Sequence, residues 1–184
     1  TGTRLAIENV HNVPGVPASS PDRKFGTDIP AYLRWINAAE RILSRKGIAV
    51  GAHLDVGHAR NNGGELDNLQ PLGDWYDRVG ASVLSYHFHQ VDNDPATGKL
   101  GNHREVTSLF GPKISFSGFF WSWSNRILNP APVFVEIRDR DARQRTTIRL
   151  QRLFEEGSAF DLSTWDSDIP GTGRLDPSVT LVGG

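Results

Sequence analysis

An acidic residue and a histidine stand three positions apart where an apolar run of the chain ends. Asp55 closes that run and His58 follows it, in the stretch LDVGHA. Residues three apart on an extended strand point to opposite faces, so the two side chains share a site only where the chain turns, here at Gly57. A carboxylate and an imidazole that converge at a strand end can bind a divalent metal or transfer a proton.

Residues of the same two chemical kinds close three other apolar runs of the chain. They are Glu8, His89 and Glu136. Several carboxylates gathered at one point repel one another, and a cation is the simplest means of holding them together. The predicted site therefore binds one divalent metal, Mn²⁺, Mg²⁺ or Co²⁺ with Zn²⁺ as an alternative, through Glu8, Asp55, His89 and Glu136.

Each candidate taken alone also has an ordinary structural explanation. A single glutamate in a strand is more often exposed or paired with a basic residue than bound to a metal. His53 and His87 are expected to be interior residues satisfied by hydrogen bonds, whereas His11 and His103 fall in expected loops, where histidines are commonly solvated. What favours a site is that residues able to bind a metal fall at the same position of four separate strands.

The elements that would position these residues alternate between strands and helices. Apolar runs predict strands at 4–9, 48–55, 82–90 and 132–138, and helical patterns follow at 28–47, 71–80, 117–128 and 140–157. Asp28 is predicted to cap the first helix, with Pro30 in its first turn and Gly47 just past its end. This alternation predicts an α/β fold with a parallel sheet and right-handed crossovers.

Within each predicted strand, one face is apolar and the other becomes polar toward the carboxyl end. In the strand at 48–55, Leu54 belongs to the apolar face, while His53 and Asp55 belong to the other. A doubly wound sheet has helices on both faces and would not show this pattern in four strands. The pattern predicts a (β/α) barrel of the TIM type, in which functional groups gather at the carboxyl ends of the strands.

Composition is that of an ordinary globular chain of 184 residues, with 38% hydrophobic and 22% charged residues. A net charge of −1 does not favour nucleic acid or an anionic membrane as a partner. The chain has no cysteine, which excludes disulfides and thiolate metal sites. We expect one domain at 1–157 and a polar tail at 158–184; no membrane span is expected, and the compartment stays open with the cytoplasm favoured.

Four stretches at the predicted strand ends resemble, in order, strand ends of the xylose-isomerase-like TIM-barrel superfamily. They are IEN at 7–9, LDVGHA at 54–59, HFHQVDND at 87–94 and FVEIR at 134–138. That superfamily includes sugar phosphate isomerases, ketose 3-epimerases and AP endonucleases. The resemblance covers about residues 3 to 155 and implies four βα units, strands five to eight of an eight-stranded barrel.

The resemblance also implies roles for individual residues. In epimerase-like members, a Glu, an Asp, a His and a second Glu hold one divalent metal, and the matching positions are Glu8, Asp55, His89 and Glu136. Glu8 and Glu136 are then the acid/base pair of catalysis, and His58 matches the histidine that contacts substrate. The further expected substrate-binding residues are His87, Asp92 and Arg138.

The function implied is a metal-dependent sugar or keto-sugar isomerase or epimerase that transfers protons through an enediolate. Two alternatives are a metal-dependent hydrolase of the AP-endonuclease-like branch and a non-catalytic fragment or binding module. AP-endonuclease-like members carry a D-x-H pair after strand seven, and the counterpart here is Gly101, Asn102 and His103. The missing aspartate and the near-neutral charge disfavour a nuclease with a trinuclear zinc site.

Four βα units cannot close an eight-stranded barrel. The outer strands of such a half barrel would be exposed, and its inward face is a mixture of polar and apolar residues. We therefore expect the chain to associate with a separate N-terminal half or with a second copy of itself.

Overall fold

The computed structural model describes residues 2–11, 26–60, 71–107, 114 and 116–156. In this part of the chain the strands are β1 (Arg4–Glu8), β2 (Ala49–Asp55), β3 (Val83–Phe88), β4 (Gln90–Asn93), β5 (Leu100–Arg104) and β6 (Val133–Val135). The α-helices are α1 (Ile29–Leu43), α2 (Val56–Arg60), α3 (Leu72–Val79), α4 (Ser117–Ser124) and α5 (Arg140–Glu156). The predicted tail at 158–184 lies outside the described residues.

The main sheet has the strand order β1-β2-β3-β6, and each neighbouring pair is parallel. Its register places Glu8 opposite His53, Asp55 opposite His87, and His87 opposite Phe134. Helices occupy the connections between these strands. The prediction of an α/β fold with a parallel sheet is therefore confirmed, and the carboxyl ends of all four strands lie at one edge.

Helix α1 begins where the sequence predicts but ends at Leu43, four residues before Gly47. The Asp28 side chain accepts a hydrogen bond from the Ala31 backbone N–H at 2.8 Å, which satisfies one of the unpaired donors of the first turn. After a short 3₁₀ turn, Gly47 ends the segment with a left-handed φ of 69°. Tyr32 and Ile36 lie on the buried face of the helix.

The hydrophobic core lies between the helices and the apolar face of the main sheet. Leu54, Tyr86 and Phe88 point from the strands into this layer and are fully buried. Phe119 of α4 packs edge-to-face against Phe88, with ring centroids 4.5 Å apart. The opposite face of the sheet carries the imidazoles of His53 and His87, so polar groups collect on the side away from the core. Among the described helices, none is both long and apolar enough to cross a membrane.

The main departure from the predicted elements is an antiparallel hairpin of β4 and β5. The predicted strand at 82–90 ends at Phe88, and the chain re-pairs from Gln90 onward. The turn of the hairpin is stabilised by Asp94, whose Oδ1 accepts backbone N–H groups of Ala96 and Thr97 at 2.9 and 3.0 Å. The hairpin returns the chain to the edge where the parallel strands end.

Candidate functional site

Three predicted carboxylates converge at the carboxyl edge of the main sheet. Glu8 closes β1, Asp55 closes β2, and Glu136 follows β6 directly. Their oxygens and Nδ1 of His87 all lie within 4.8 Å of one another. We call Glu8, Asp55, His87 and Glu136 the carboxylate group.

His87 occupies the centre of the carboxylate group. Its Nδ1 lies 2.9 Å from Glu8 Oε1, 3.6 Å from Asp55 Oδ2 and 3.4 Å from Glu136 Oε2. The close Asp55 carboxylate and the hydrogen bond with Glu8 raise the pKa of His87 to about 10, because together they outweigh the partial burial of the ring. The charged imidazolium therefore offsets part of the negative charge of the three carboxylates in the metal-free protein.

The same contacts set the charge of the carboxylates. The hydrogen bond with His87 lowers the pKa of Glu8 below its ordinary value. Burial alone would raise the pKa of Asp55, but the close imidazoles of His87 and His89 hold that pKa well below its usual range. Asp55 is fully buried and ionised, which is the state that a metal ligand requires.

The imidazole among the three carboxylates is therefore His87, where His89 was predicted. The two residues share one face by the two-residue period of a strand. Because β3 ends at Phe88, His87 is the last residue of that face held in register with Asp55.

His53 meets the expectation of an interior residue satisfied by hydrogen bonds only in part. Its Nδ1 pairs with the Ser85 hydroxyl, but its buried Nε2 has no hydrogen-bond partner among the described residues. With Glu8 and His87 it forms a third set of possible metal ligands.

His89 lies beside the carboxylate group and contacts Asp55. Its Nδ1 accepts the backbone N–H of His103 at 3.0 Å, which places the ring proton on Nε2. A longer contact of Nδ1 with the Gln90 carbonyl, 3.3 Å, would require the opposite tautomer. Nε2 stands 3.0 Å from Asp55 Oδ1, so in this tautomer His89 orients the Asp55 carboxylate rather than offering a lone pair to a metal.

A second set of possible ligands adjoins the first and shares Glu136 with it. We call His58, His89, His103 and Glu136 the histidine group; their ligand atoms also lie within 4.8 Å of one another. His103 reaches it through the hairpin, with Nε2 3.2 Å from Glu136 Oε2. Burial and the neighbouring His89 lower the pKa of His103, which favours the neutral ring that binds metals.

Asp55 and His58 converge as the spacing of the sequence predicts. Helix α2 begins directly after Asp55, and the His58 backbone N–H donates a hydrogen bond to Asp55 Oδ1 at 2.7 Å. The His58 Nδ1 lies 3.4 Å from Asp55 Oδ2 and 3.8 Å from Glu8 Oε1. His58 therefore stands at the rim of the carboxylate group.

Of the remaining residues considered in the sequence, some lie at the site and others lie outside it. Asp92 lies in β4, where its Oδ1 accepts the Asn93 backbone N–H, and it belongs to neither group. Arg138 lines a cavity next to Glu136 and His103. His103 itself was expected to be a solvated loop residue, which is wrong. His11 was expected to be solvated too, and its ring packs edge-to-face on His58 with centroids 5.4 Å apart.

Buried atoms at the site fit a divalent cation. Asp55 Oδ2 and Glu136 Oε2 are sealed from solvent and have no hydrogen-bond partner among the described residues. Buried polar atoms of native proteins are nearly always paired. Both oxygens face His87 Nδ1, at 3.6 and 3.4 Å, without making a hydrogen bond. A divalent cation that replaces the proton on this nitrogen would satisfy both oxygens. Oxygen ligands with one imidazole suit Mg²⁺, Mn²⁺ or Co²⁺, and the imidazole-rich second set suits Zn²⁺. The described part of the chain can therefore hold a metal ion.

Comparisons with models of known protein families and with curated proteins found no match to this chain.

Proposed function

We propose that the chain is a divalent-metal-dependent sugar or keto-sugar isomerase or epimerase. The observation that carries this proposal is the convergence of Glu8, Asp55 and Glu136 at the ends of three parallel strands. We also propose that the four parallel strands are the second half of a (β/α)₈ barrel. Their order in the sheet follows their order in the chain, and their carboxyl ends carry the site, as in barrels of this type.

Differences in accessibility divide the carboxylates into two roles. The Asp55 side chain is 0% exposed, whereas those of Glu8 and Glu136 are 37% and 41% exposed. Asp55 can serve only to hold the cation, while both glutamates can also reach a bound substrate. A cation in this group would act as a Lewis acid toward a substrate carbonyl oxygen and a neighbouring hydroxyl.

Proton transfer is then the work of the two accessible glutamates. One oxygen of each glutamate lies within 4.8 Å of the other and would bind the cation. The second oxygen of each carboxylate is left free by this arrangement, and we propose that these two oxygens approach the substrate carbon from opposite sides. One glutamate removes a proton from the carbon next to the carbonyl, and the other returns a proton from the opposite side. His58, at the rim, orients the substrate oxygens through its ring.

The test is turnover of ketoses in D₂O, with wild-type protein, Glu136→Gln and the control Glu40→Gln on the exposed side of α1. Glu136→Gln keeps an oxygen ligand but removes the proton acceptor, so we expect metal content to remain largely unchanged. Turnover should fall by about 10²–10⁴-fold, the usual contribution of a general acid or base. The control should match the wild type, and product of the wild-type reaction should contain solvent deuterium at the inverted carbon.

Two outcomes would contradict the proposal. If ketose turnover leaves no solvent deuterium in the product, the two-glutamate mechanism is wrong for this chain. If the metal-loaded protein converts no ketose or ketose phosphate, the isomerase assignment is withdrawn and a non-catalytic binding module takes its place.

A metal-dependent hydrolase is the second candidate, and the histidine group is the observation that favours it. If His89 takes the tautomer in which Nδ1 donates to the Gln90 carbonyl, its Nε2 can bind a metal. Three imidazoles with one shared carboxylate then resemble the ligand set of hydrolytic zinc sites, in which bound water is the nucleophile. His103→Ala separates the two functions, because His103 lies only in the histidine group. A hydrolase should lose Zn²⁺-dependent cleavage of an abasic oligonucleotide in this variant, whereas an isomerase should keep its carboxylate-bound metal.

A further inference from the structure

A cavity of about 280 Å³ opens beside the shared carboxylate of the two metal-binding groups. It is lined by His103, Val135, Glu136, Ile137, Arg138 and Arg143. Glu136 and His103 connect it to the candidate metal centre, while its remaining polar lining consists of two arginines. Neither guanidinium has a part in metal binding or proton transfer, so the cavity needs a separate explanation.

The chain after β6 places one of these arginines beside the site. Ile137 is buried in the protein, with 4% of its surface exposed. Glu136 and Arg138 flank it in the chain, and both line the cavity. Arg138 is exposed and forms no hydrogen bond or ion pair with any residue in the part of the chain that the structure describes. Its charge is therefore available to a ligand in the cavity.

The second arginine is held in place by the backbone. Arg143 lies near the start of helix α5, and its Nη1 donates a hydrogen bond to the Ile137 carbonyl at 3.1 Å. That bond uses one of the five N–H donors of the guanidinium and fixes the group beside the strand end. The remaining donors can bind a second partner at little further cost in side-chain entropy.

Acidic groups near the cavity have other partners or roles. Asp139 Oδ1 accepts the Ala142 backbone N–H at 2.7 Å and caps helix α5. Asp141 lies in the first turn of that helix, where a negative charge is stabilised by the helix dipole. Glu136 lines the cavity but is a ligand in both metal-binding groups. With a cation on Glu136, the cavity presents two positive charges to its contents.

We propose that the substrate of this site carries an anionic group, a phosphate ester or a carboxylate, which Arg138 and Arg143 bind. Guanidinium groups match the geometry of both anions because they can donate two parallel hydrogen bonds. The anion would fix one end of the substrate, and the reacting carbons would extend toward Glu136. The substrate class rests on the proposed function, but the anion site itself does not.

The probe is inorganic phosphate, titrated calorimetrically into the Mn²⁺-loaded full chain. We compare wild type with Arg138→Gln, Arg143→Gln and the control Arg34→Gln, which removes the same charge from the exposed face of α1. Each cavity variant should weaken phosphate binding about tenfold or more, as expected for loss of a charged hydrogen bond, and the control should not. Arg138→Lys, which keeps the charge but loses the planar fork, should show a smaller loss.

Direct coordination of phosphate by the metal is the outcome that would overturn the proposal. In that case the cavity variants bind phosphate as the wild type does, and binding disappears when the metal is removed. Titrations with glycolate and with glycerol phosphate distinguish the two sources of the anion. If glycolate binds more tightly, the anionic group of the substrate is a carboxylate. If glycerol phosphate binds more tightly, the anionic group is a phosphate ester.

Kinetics separate a failure of this inference from a failure of the proposed function. If the chain converts neutral ketoses and Arg138→Gln leaves the KM of ketose phosphates and sugar acids unchanged, the inference is wrong and the isomerase stands. If phosphate binding depends on both arginines but no sugar is converted, the anion site stands and the isomerase is withdrawn. A raised KM for anionic substrates alone, with kcat retained, supports both.

Discussion

At the end of β3, Nδ1 of His87 faces oxygens of Glu8, Asp55 and Glu136 at 2.9, 3.6 and 3.4 Å. A proton on this nitrogen occupies the point at which a cation would meet the same oxygens. The proton and the metal ion therefore compete for one position. The raised pKa of His87 is a property of the metal-free site. It sets the free-energy cost of removing the proton when a metal binds.

Competition with this proton predicts proton release on metal binding. The pKa of His87, about 10, lies above neutrality, so near pH 7 the ring is protonated and must lose its proton to become a ligand. We expect release of about one proton per Mn²⁺ ion and an affinity that rises with pH up to this pKa. Calorimetry in two buffers of different ionisation enthalpy measures the release.

The variant His87→Gln provides the control for that measurement. It replaces the charged ring by a neutral polar side chain that has no proton to lose, so release should vanish. His89→Gln should still release the proton, because His89 orients Asp55 and is not displaced from the carboxylate group. Equal release from wild type and His87→Gln would show that His87 is not the ligand.

Asp55 carries the second prediction at the scale of single residues. It is the only fully buried member of the carboxylate group, and both of its oxygens face imidazoles. Asp55→Ala should abolish stoichiometric metal in dialysed protein, measured by elemental analysis. Asp55→Asn, which keeps the shape and one oxygen, should weaken metal binding without unfolding the site, and Asp77→Ala on the exposed side of α3 should bind metal normally. Full occupancy in Asp55→Ala would rule out this assignment.

The sequence was sufficient to predict the three carboxylates but not the imidazole among them. Glu8, Asp55 and Glu136 are each at or just beyond a strand end, and their phase relative to the apolar residues places them on one face. His87 and His89 have the same phase, so periodicity cannot separate them. The two histidines differ because β3 ends at Phe88, between them. The end of β3 is set by the hairpin that follows, and not by the sequence of the strand itself.

At the scale of elements, hydrophobic periodicity predicted the strands of the parallel sheet and the helices between them. It missed the hairpin of β4 and β5, because the segment QVDNDPATGKLGNHR at 90–104 is polar and shows no regular alternation. It missed α2 because a helix of five residues is too short to display a helical period. The hairpin brings His103 to the site, so the missed element accounts for the missed residue.

Contact between α2 and the segment after β3 yields an element-scale prediction. A Cβ atom at Gly57 would overlap the imidazole of His89, which is fully buried and cannot move aside. Gly57→Ala should therefore lower the free energy of unfolding by about 1–3 kcal/mol, a usual cost of overpacking. It should also weaken metal binding, because His89 holds Asp55.

Urea unfolding and metal titration together check this prediction. Gly2→Ala is the matched control, since a Cβ at that position would meet no atom within 4 Å. Unchanged stability and unchanged metal affinity in Gly57→Ala would show that the backbone around His89 shifts at little cost to make room for the added methyl group. The close packing of α2 on this histidine would then have no role in shaping the site.

At the scale of the whole molecule, the polar face of the main sheet is open. Strands β1 and β6 are its outer strands, and each pairs with one neighbour in the described part of the chain. Phe134 of β6 is 54% exposed, and its ring lies 6.3 Å from those of His53 and His87 on the same face. Unpaired strand edges next to an exposed aromatic ring favour association with another sheet.

We therefore predict that the chain associates, either with a second copy or with a separate half that supplies the remaining strands. Sedimentation velocity of the purified chain should show a species heavier than the 20.3 kDa of the single chain. Phe134→Ser should shift the distribution toward the single chain, because it removes apolar surface at the outer strand. Ile42→Ser is the control, since Ile42 is 64% exposed but belongs to helix α1 and not to an outer strand. A well-folded species of 20.3 kDa in the wild type, with metal bound at full stoichiometry, would show that the four parallel strands form a complete site without a partner.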